Sequence, residues 1–192
     1  MMGPNASNVL LRFGFDTERA RMVTSRRFLK ALGKSNELIS SISHPDYGKI
    51  YYGPLLSAHR VDLHSELKRV ATATCPDGGK PVELVLKTQV VDYDADQGVI
   101  VLGDGSTRCA DLVVAADGVH TSAVQHVISR PNPAVSTGWA AFRFMIPTED
   151  LLKDPEIVPL IQSGATEAAD GVTKLFIVED SMRRLVWYPC AK

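Results

Sequence analysis

Residues 111–127 read DLVVAADGVHTSAVQHV, and this stretch decides the fold class. The unbroken apolar run Leu112, Val113, Val114, Ala115, Ala116 predicts a strand buried on both faces. Asp117-Gly118 follows, then a polar turn, then a segment with helical spacing. An acidic side chain and a glycine are thus expected at the carboxyl end of a strand, beside a helix amino terminus. In α/β proteins ligands bind at such places, and free backbone N–H groups there favour anions such as pyrophosphate.

The rest of the chain narrows the class. At 192 residues it holds one large domain or two small ones. Its 45% hydrophobic content is ordinary for a globular protein. The net charge is -1 and no basic stripe occurs, so nucleic acid is not an expected partner. Cys75, Cys109 and Cys190 are scattered and odd in number, which argues against a disulfide framework or zinc site and for a reducing compartment. No apolar run approaches the roughly 18 residues that span a bilayer. The start, MMGPNASNVL, lacks the charged and apolar regions of a signal peptide. These features predict a cytoplasmic α/β or α+β protein.

Pro4, Asn5 and Ser7 suit a helix start, and Val9, Leu10 and Phe13 share a face, so 5–13 is expected to be helical with Gly14 as its stop. Residues 17–32 have helical propensity but a weak apolar face. Residues 33–58 are turn-rich, with a short aromatic strand expected at 49–52. Leu63, Leu67, Val70 and Ala71 predict an amphipathic helix over 61–74. From Val82 the period becomes two, and 82–86, 88–93, 98–102 and 107–110 read as strands joined by Asp- and Gly-rich turns. Further strands are expected at 138–146, 174–179 and 184–188, with a short helix at 155–162.

Residues 111–127 resemble the DG fingerprint of FAD-dependent aromatic-ring monooxygenases of the salicylate hydroxylase type. Three further segments resemble the same family in the same order. They are Gly3-Pro4-Asn5-Ala6 followed by a helix, the HR-x-DL-H segment from His59 to His64, and the strands around Ala141-Phe142-Arg143 and 185–190. Together they cover nearly the whole chain. The resemblance implies FAD as cofactor, NAD(P)H as cosubstrate, and an aromatic or polycyclic small molecule as substrate. The implied fold is α/β: a partial Rossmann-like FAD-binding domain with a β-meander insertion in 1–132, then part of a substrate-binding sheet domain in 133–192.

The same resemblance assigns roles to single residues. Arg60 is implied to contact FAD, and an arginine at a helix start has the donors to hold a pyrophosphate or ribose. An exposed surface arginine is the other reading of that residue. Asp117 is suited to accept from a ribose hydroxyl, and Gly118 lets a backbone approach phosphate closely. An ordinary helix N-cap is the other reading there. The family's Ser-Ala-Val-Arg is Ser122-Ala123-Val124-Gln125 here, which puts that arginine's contacts in doubt. Arg143, expected mid-strand among Phe142, Phe144 and Met145, is a substrate-side or flavin-side candidate in the implied wall of the catalytic pocket, or one half of a structural salt bridge. Tyr188 is a pocket candidate or a packing residue. The histidine spacings form no H-E-x-x-H pattern, so no metal site is expected.

Two parts of the family's flavin site do not occur in the sequence. There is no G-x-G-x-x-G loop, and no Gly-Asp segment lies downstream of residue 118. An incomplete form is therefore expected, one that by itself binds FAD poorly, is prone to aggregate, and has a complementary segment as a potential partner. A non-catalytic paralogue without bound flavin is the alternative. An unrelated nucleotide-binding module with a similar turn is a third.

Overall fold

The computed structural model describes residues 1–44, 47–74, 78–131, 134–162 and 171–191. In chain order the elements are α1 (Pro4–Arg12), β1 (Val23–Thr24), β2 (Arg27–Leu32), β3 (Leu38–Ser43), α2 (Tyr47–Tyr51), β4 (Leu56–Ser57), α3 (Arg60–Thr72), β5 (Val90–Asp94), β6 (Val99–Leu102), β7 (Thr107–Cys109), α4 (Val124–Ile128), α5 (Thr148–Leu151), α6 (Ile157–Gln162), β8 (Val172–Ile177) and β9 (Arg184–Trp187). The protein is mixed α/β with several sheets. Its contacts divide it into two compact units, Met1–Val82 with Met145–Lys192, and Glu83–Phe144. No helix among the described residues is long and apolar enough to cross a membrane.

The larger unit is built around a four-stranded sheet in the order β3-β2-β8-β9. The β2–β8 pair is parallel, and it joins a segment from each side of the division expected at residues 132 and 133. The sheet overturns the helix expected at 17–32. Burial along β2 alternates, with Leu29 and Ala31 inside, which is the period of a strand. Only one helical turn survives ahead of it. The Asp16 carboxylate accepts from the N–H groups of Glu18 and Arg19, and Arg21 at φ 48 ends the turn.

Helix α1 starts at Pro4, whose missing N–H is unpaired in any first turn. Ser7 does not cap it; its buried hydroxyl donates to the Pro54 carbonyl at 2.5 Å. Phe15, Ala20, Met22 and Leu56 form the core beneath, with Leu10 and Leu63 packed against it. The aromatic run expected as a strand at 49–52 instead falls in α2 and the turn after it. Among the described residues no strand pairs with it, and Tyr52 at φ 60 closes the turn.

The smaller unit is an antiparallel meander, β5-β6-β7, with Val90 opposite Leu102 and Ile100 opposite Arg108. Three expected strands are missing, at 82–86, 112–116 and 138–146. The run 112–116 is also not buried: Leu112 is 78% and Val114 77% exposed. A strand exists only where a neighbour takes up its N–H and C=O groups, and no described segment does so for these three. A doubly wound sheet around residues 112–116 is accordingly absent from the described pairing.

Candidate functional site

In the smaller unit the DG segment forms a turn rather than a strand end. Gly118 has φ 87, and a Cβ built there would meet nothing within 4 Å, so the backbone is open on that side. The Thr121 N–H donates to the Gly118 carbonyl at 3.2 Å. Helix α4 follows, only 5 residues long, and ends at Ser129 in the left-handed region. So short a helix adds little dipole to the turn.

The Asp117 carboxylate is exposed yet not loose. The Tyr93 hydroxyl donates to its Oδ2 at 3.3 Å. The Thr121 Oγ1 accepts from the Ala123 N–H at 3.0 Å. The nearby Thr121 hydroxyl first, then that of Tyr93, keeps the Asp117 carboxyl below its ordinary range. Burial, then the charge of Asp117, pushes the Tyr93 phenol up. The Tyr93 ring lies against the His126 ring with centroids 5.6 Å apart. His126 Nε2 is 3.5 Å from the Asp92 carboxylate, so β5 grips both the turn and α4.

The HR-x-DL-H segment lies in the larger unit, where His59 caps α3 and Arg60 is its first residue. Arg21 donates to Asp62 Oδ2 from Nε at 3.2 Å and from Nη2 at 2.8 Å, and His59 Nδ1 lies 3.2 Å away. Arg21 first, then His59, holds the Asp62 carboxyl low. Between these fixed neighbours Arg60 is exposed, and its guanidinium has no described partner. Further along α3, Glu66 is 2% exposed. It accepts from Arg69 at 2.8 and 2.5 Å and from the Asp16 N–H at 3.0 Å. Of the predicted apolar face of α3, Leu63 packs against the core. Leu67, Val70 and Ala71 instead line an open groove of about 450 Å³ with Leu10, Phe13 and Phe15.

Arg143 lies in the smaller unit, outside any strand, and its neighbour Phe142 is 94% exposed. The mid-strand placement expected for it is therefore wrong, and no described hydrogen bond joins it to the DG turn. Tyr188 follows β9 in the larger unit and is half-buried. Sequence reasoning missed Tyr93, Thr121 and Glu66. Tyr93 reads as one more alternating strand residue. Glu66 sits among the apolar positions of α3, and a charge at such a spacing was the available signal.

No family model matches the chain. It is, however, 35% identical over 188 residues to the FAD-dependent monooxygenase phomE' of Diaporthe leptostromiformis, covering 97% of this chain and 46% of that protein. It is 32% identical to hispidin-3-hydroxylase of Neonothopanus nambi, covering 80% of this chain and 36% of that protein. It is 30% identical to 3-hydroxybenzoate 6-hydroxylase 1 of Aquipseudomonas alcaligenes, covering 78% and 38% respectively. The chain is homologous to FAD-dependent monooxygenases, as its motifs predict, and spans less than half the length of these curated relatives.

Proposed function

We propose that this chain supplies one wall of the cofactor site, and part of the substrate sheet, of an FAD-dependent monooxygenase. Its substrate would be an aromatic or polycyclic small molecule, hydroxylated at the expense of NAD(P)H and O₂. The Asp117-Gly118 turn carries the reading: an exposed carboxylate that accepts from the Tyr93 hydroxyl stands beside a glycine with open backbone. That turn suits a nucleotide, since Asp117 has acceptor sites left for a ribose hydroxyl and Gly118 leaves room for phosphate. Arg60, in the other unit, is assigned separately to FAD by its motif and has donors suited to a diphosphate. FAD, when bound, supplies the redox chemistry between the nicotinamide and oxygen. The chain's own residues bind and orient. Arg143 and Tyr188, one in each unit, are each assigned by the resemblance to the substrate side, Arg143 with a guanidinium and Tyr188 with a phenol able to hydrogen-bond a polar ring substituent.

The sequence division carries into this proposal, with 1–132 mainly cofactor-binding and 133–192 mainly substrate-binding. Strand β2 counts with the substrate sheet through its pairing to β8, and β3 through its pairing to β2. A cytoplasmic location fits the free Cys109 and Cys190. The names of two relatives, a 3-hydroxybenzoate hydroxylase and a hispidin hydroxylase, support a small-molecule hydroxylation. Exposure of Leu112 and Val114 favours a second reading, a non-catalytic paralogue without bound flavin.

A flavin titration decides between them. The 192-residue polypeptide is expected to bind FAD weakly, and both Asp117→Asn and Arg60→Ala should weaken it roughly tenfold further. No response of the Gly118 and Val119 amides to millimolar FAD would end the cofactor assignment. Purification with stoichiometric yellow flavin would instead refute the expected weakness. NADPH consumption that rises on adding phenolic compounds tests the reaction class.

A further inference from the structure

Asp117 stands on an unsupported stem. The five residues before it pair with no described strand, and its own side chain is exposed. Such a carboxylate samples several rotamers, and a ligand that needs one of them must bear the cost of ordering it. Strand β5 is different. It is fixed by β6, with Tyr93 opposite Ile100. The Tyr93 ring is seated against His126, and its hydroxyl reaches Asp117 Oδ2 at 3.3 Å. His126 in turn lies 3.5 Å from Asp92, the residue before Tyr93. The meander thus lends its rigidity to a turn that has none from a sheet.

We propose that Tyr93 is a positioning residue for the cofactor wall, its hydroxyl holding the Asp117 carboxylate in the orientation that receives a ribose hydroxyl. The proposal rests on reading Asp117 as a cofactor contact. One hydroxyl donor occupies only part of a carboxylate's roughly four acceptor sites, so the ligand is not displaced by the residue that orients its partner. The lowered carboxyl pKa of Asp117 agrees with its staying charged while it is held.

Tyr93→Phe is the informative change, because it keeps the ring on His126 and removes only the hydroxyl. FAD affinity is read from the Gly118 and Val119 amide shifts for the wild-type chain, Tyr93→Phe, Asp117→Asn and the double variant. Loss of one hydrogen bond should raise the FAD Kd roughly three- to tenfold in Tyr93→Phe. In the Asp117→Asn background the same change should add less than about twofold, since the two residues act as one. A Tyr93→Phe chain with unchanged affinity, where Asp117→Asn is weakened, overturns the proposal. So does an equal Tyr93→Phe effect in both backgrounds, which would mean that the phenol acts without Asp117. If Asp117→Asn alone changes nothing, the cofactor reading of Asp117 has failed and takes this inference with it.

Discussion

Helix α3 and the DG turn both enter the molecule through motifs of one family, yet they are held in opposite ways. Helix α3 satisfies its own backbone and is fastened by Asp62 to Arg21 and by buried Glu66 to Arg69 and the Asp16 N–H. Among the described residues the DG turn has no strand pairing behind it, and a helix of 5 residues follows it. Its hold comes from side chains of β5, the hydroxyl of Tyr93 and the ring pair with His126. A helix carries its hydrogen bonds with it, whereas a strand must find a partner elsewhere. The first region is therefore complete within these residues and the second is not.

The sharpest way to break that contrast uses two glycines with positive φ. Gly171, at φ 80, opens β8, and a Cβ there would lie 1.8 Å from the Thr24 carbonyl oxygen. Gly171→Ala should cost at least about 3 kcal/mol, because strain and a backbone collision add. Urea melts followed on Trp187 fluorescence would measure it, and a loss below about 1 kcal/mol would show that the sheet is looser than described.

Next in size is Glu66→Ala, expected to cost about 2 kcal/mol, since a buried acceptor of charged donors is lost and the arginines rehydrate. The same carboxylate sets an acid limit on the larger unit. Hydrogen bonding by Arg69 depresses the folded pKa of Glu66, and that by Arg21 depresses Asp62. The unfolded chain then binds protons first as pH falls. This stability is whole above the ordinary glutamate value of 4.5 and is lost as pH drops through the folded values. Amide exchange in α3 should accelerate there, and Glu66→Gln should flatten the dependence.

In the smaller unit, Gly118→Ala meets no atom and should cost only about 1 kcal/mol, from its φ alone. Asp117→Ala should leave the melting temperature unchanged, although FAD affinity falls. A clear drop in melting temperature would assign Asp117 to the fold and not to a ligand.

Local features were legible in the sequence. Pro4 and Gly14 bracket α1, the 3.6-residue spacing of Leu63, Leu67 and Val70 marks α3, and the turns at 94–98 and 103–106 mark the meander. The motif spacing also identified the lineage that the monooxygenase relatives bear out. Propensity misleads where it opposes pairing. Residues 27–32 are rich in helix-forming side chains, yet β2 pairs with β3 beside it in sequence and with β8 in the last part of the chain. The apolar runs at 112–116 and 138–146 were mistaken for strands because composition records a preference and not a partner.

The sequence by itself determined helices α1 and α3, the turns of the meander and the chemistry available at Arg60, Asp117 and Gly118, because a helical or turn hydrogen bond closes within a few residues. Tertiary structure alone decided that β2 is a strand, that Glu66 is buried among arginine and backbone donors, and that the Tyr93 hydroxyl reaches Asp117. Each of those contacts joins groups from separate elements, or depends on what packs over them, and only the folded chain brings them within hydrogen-bond distance.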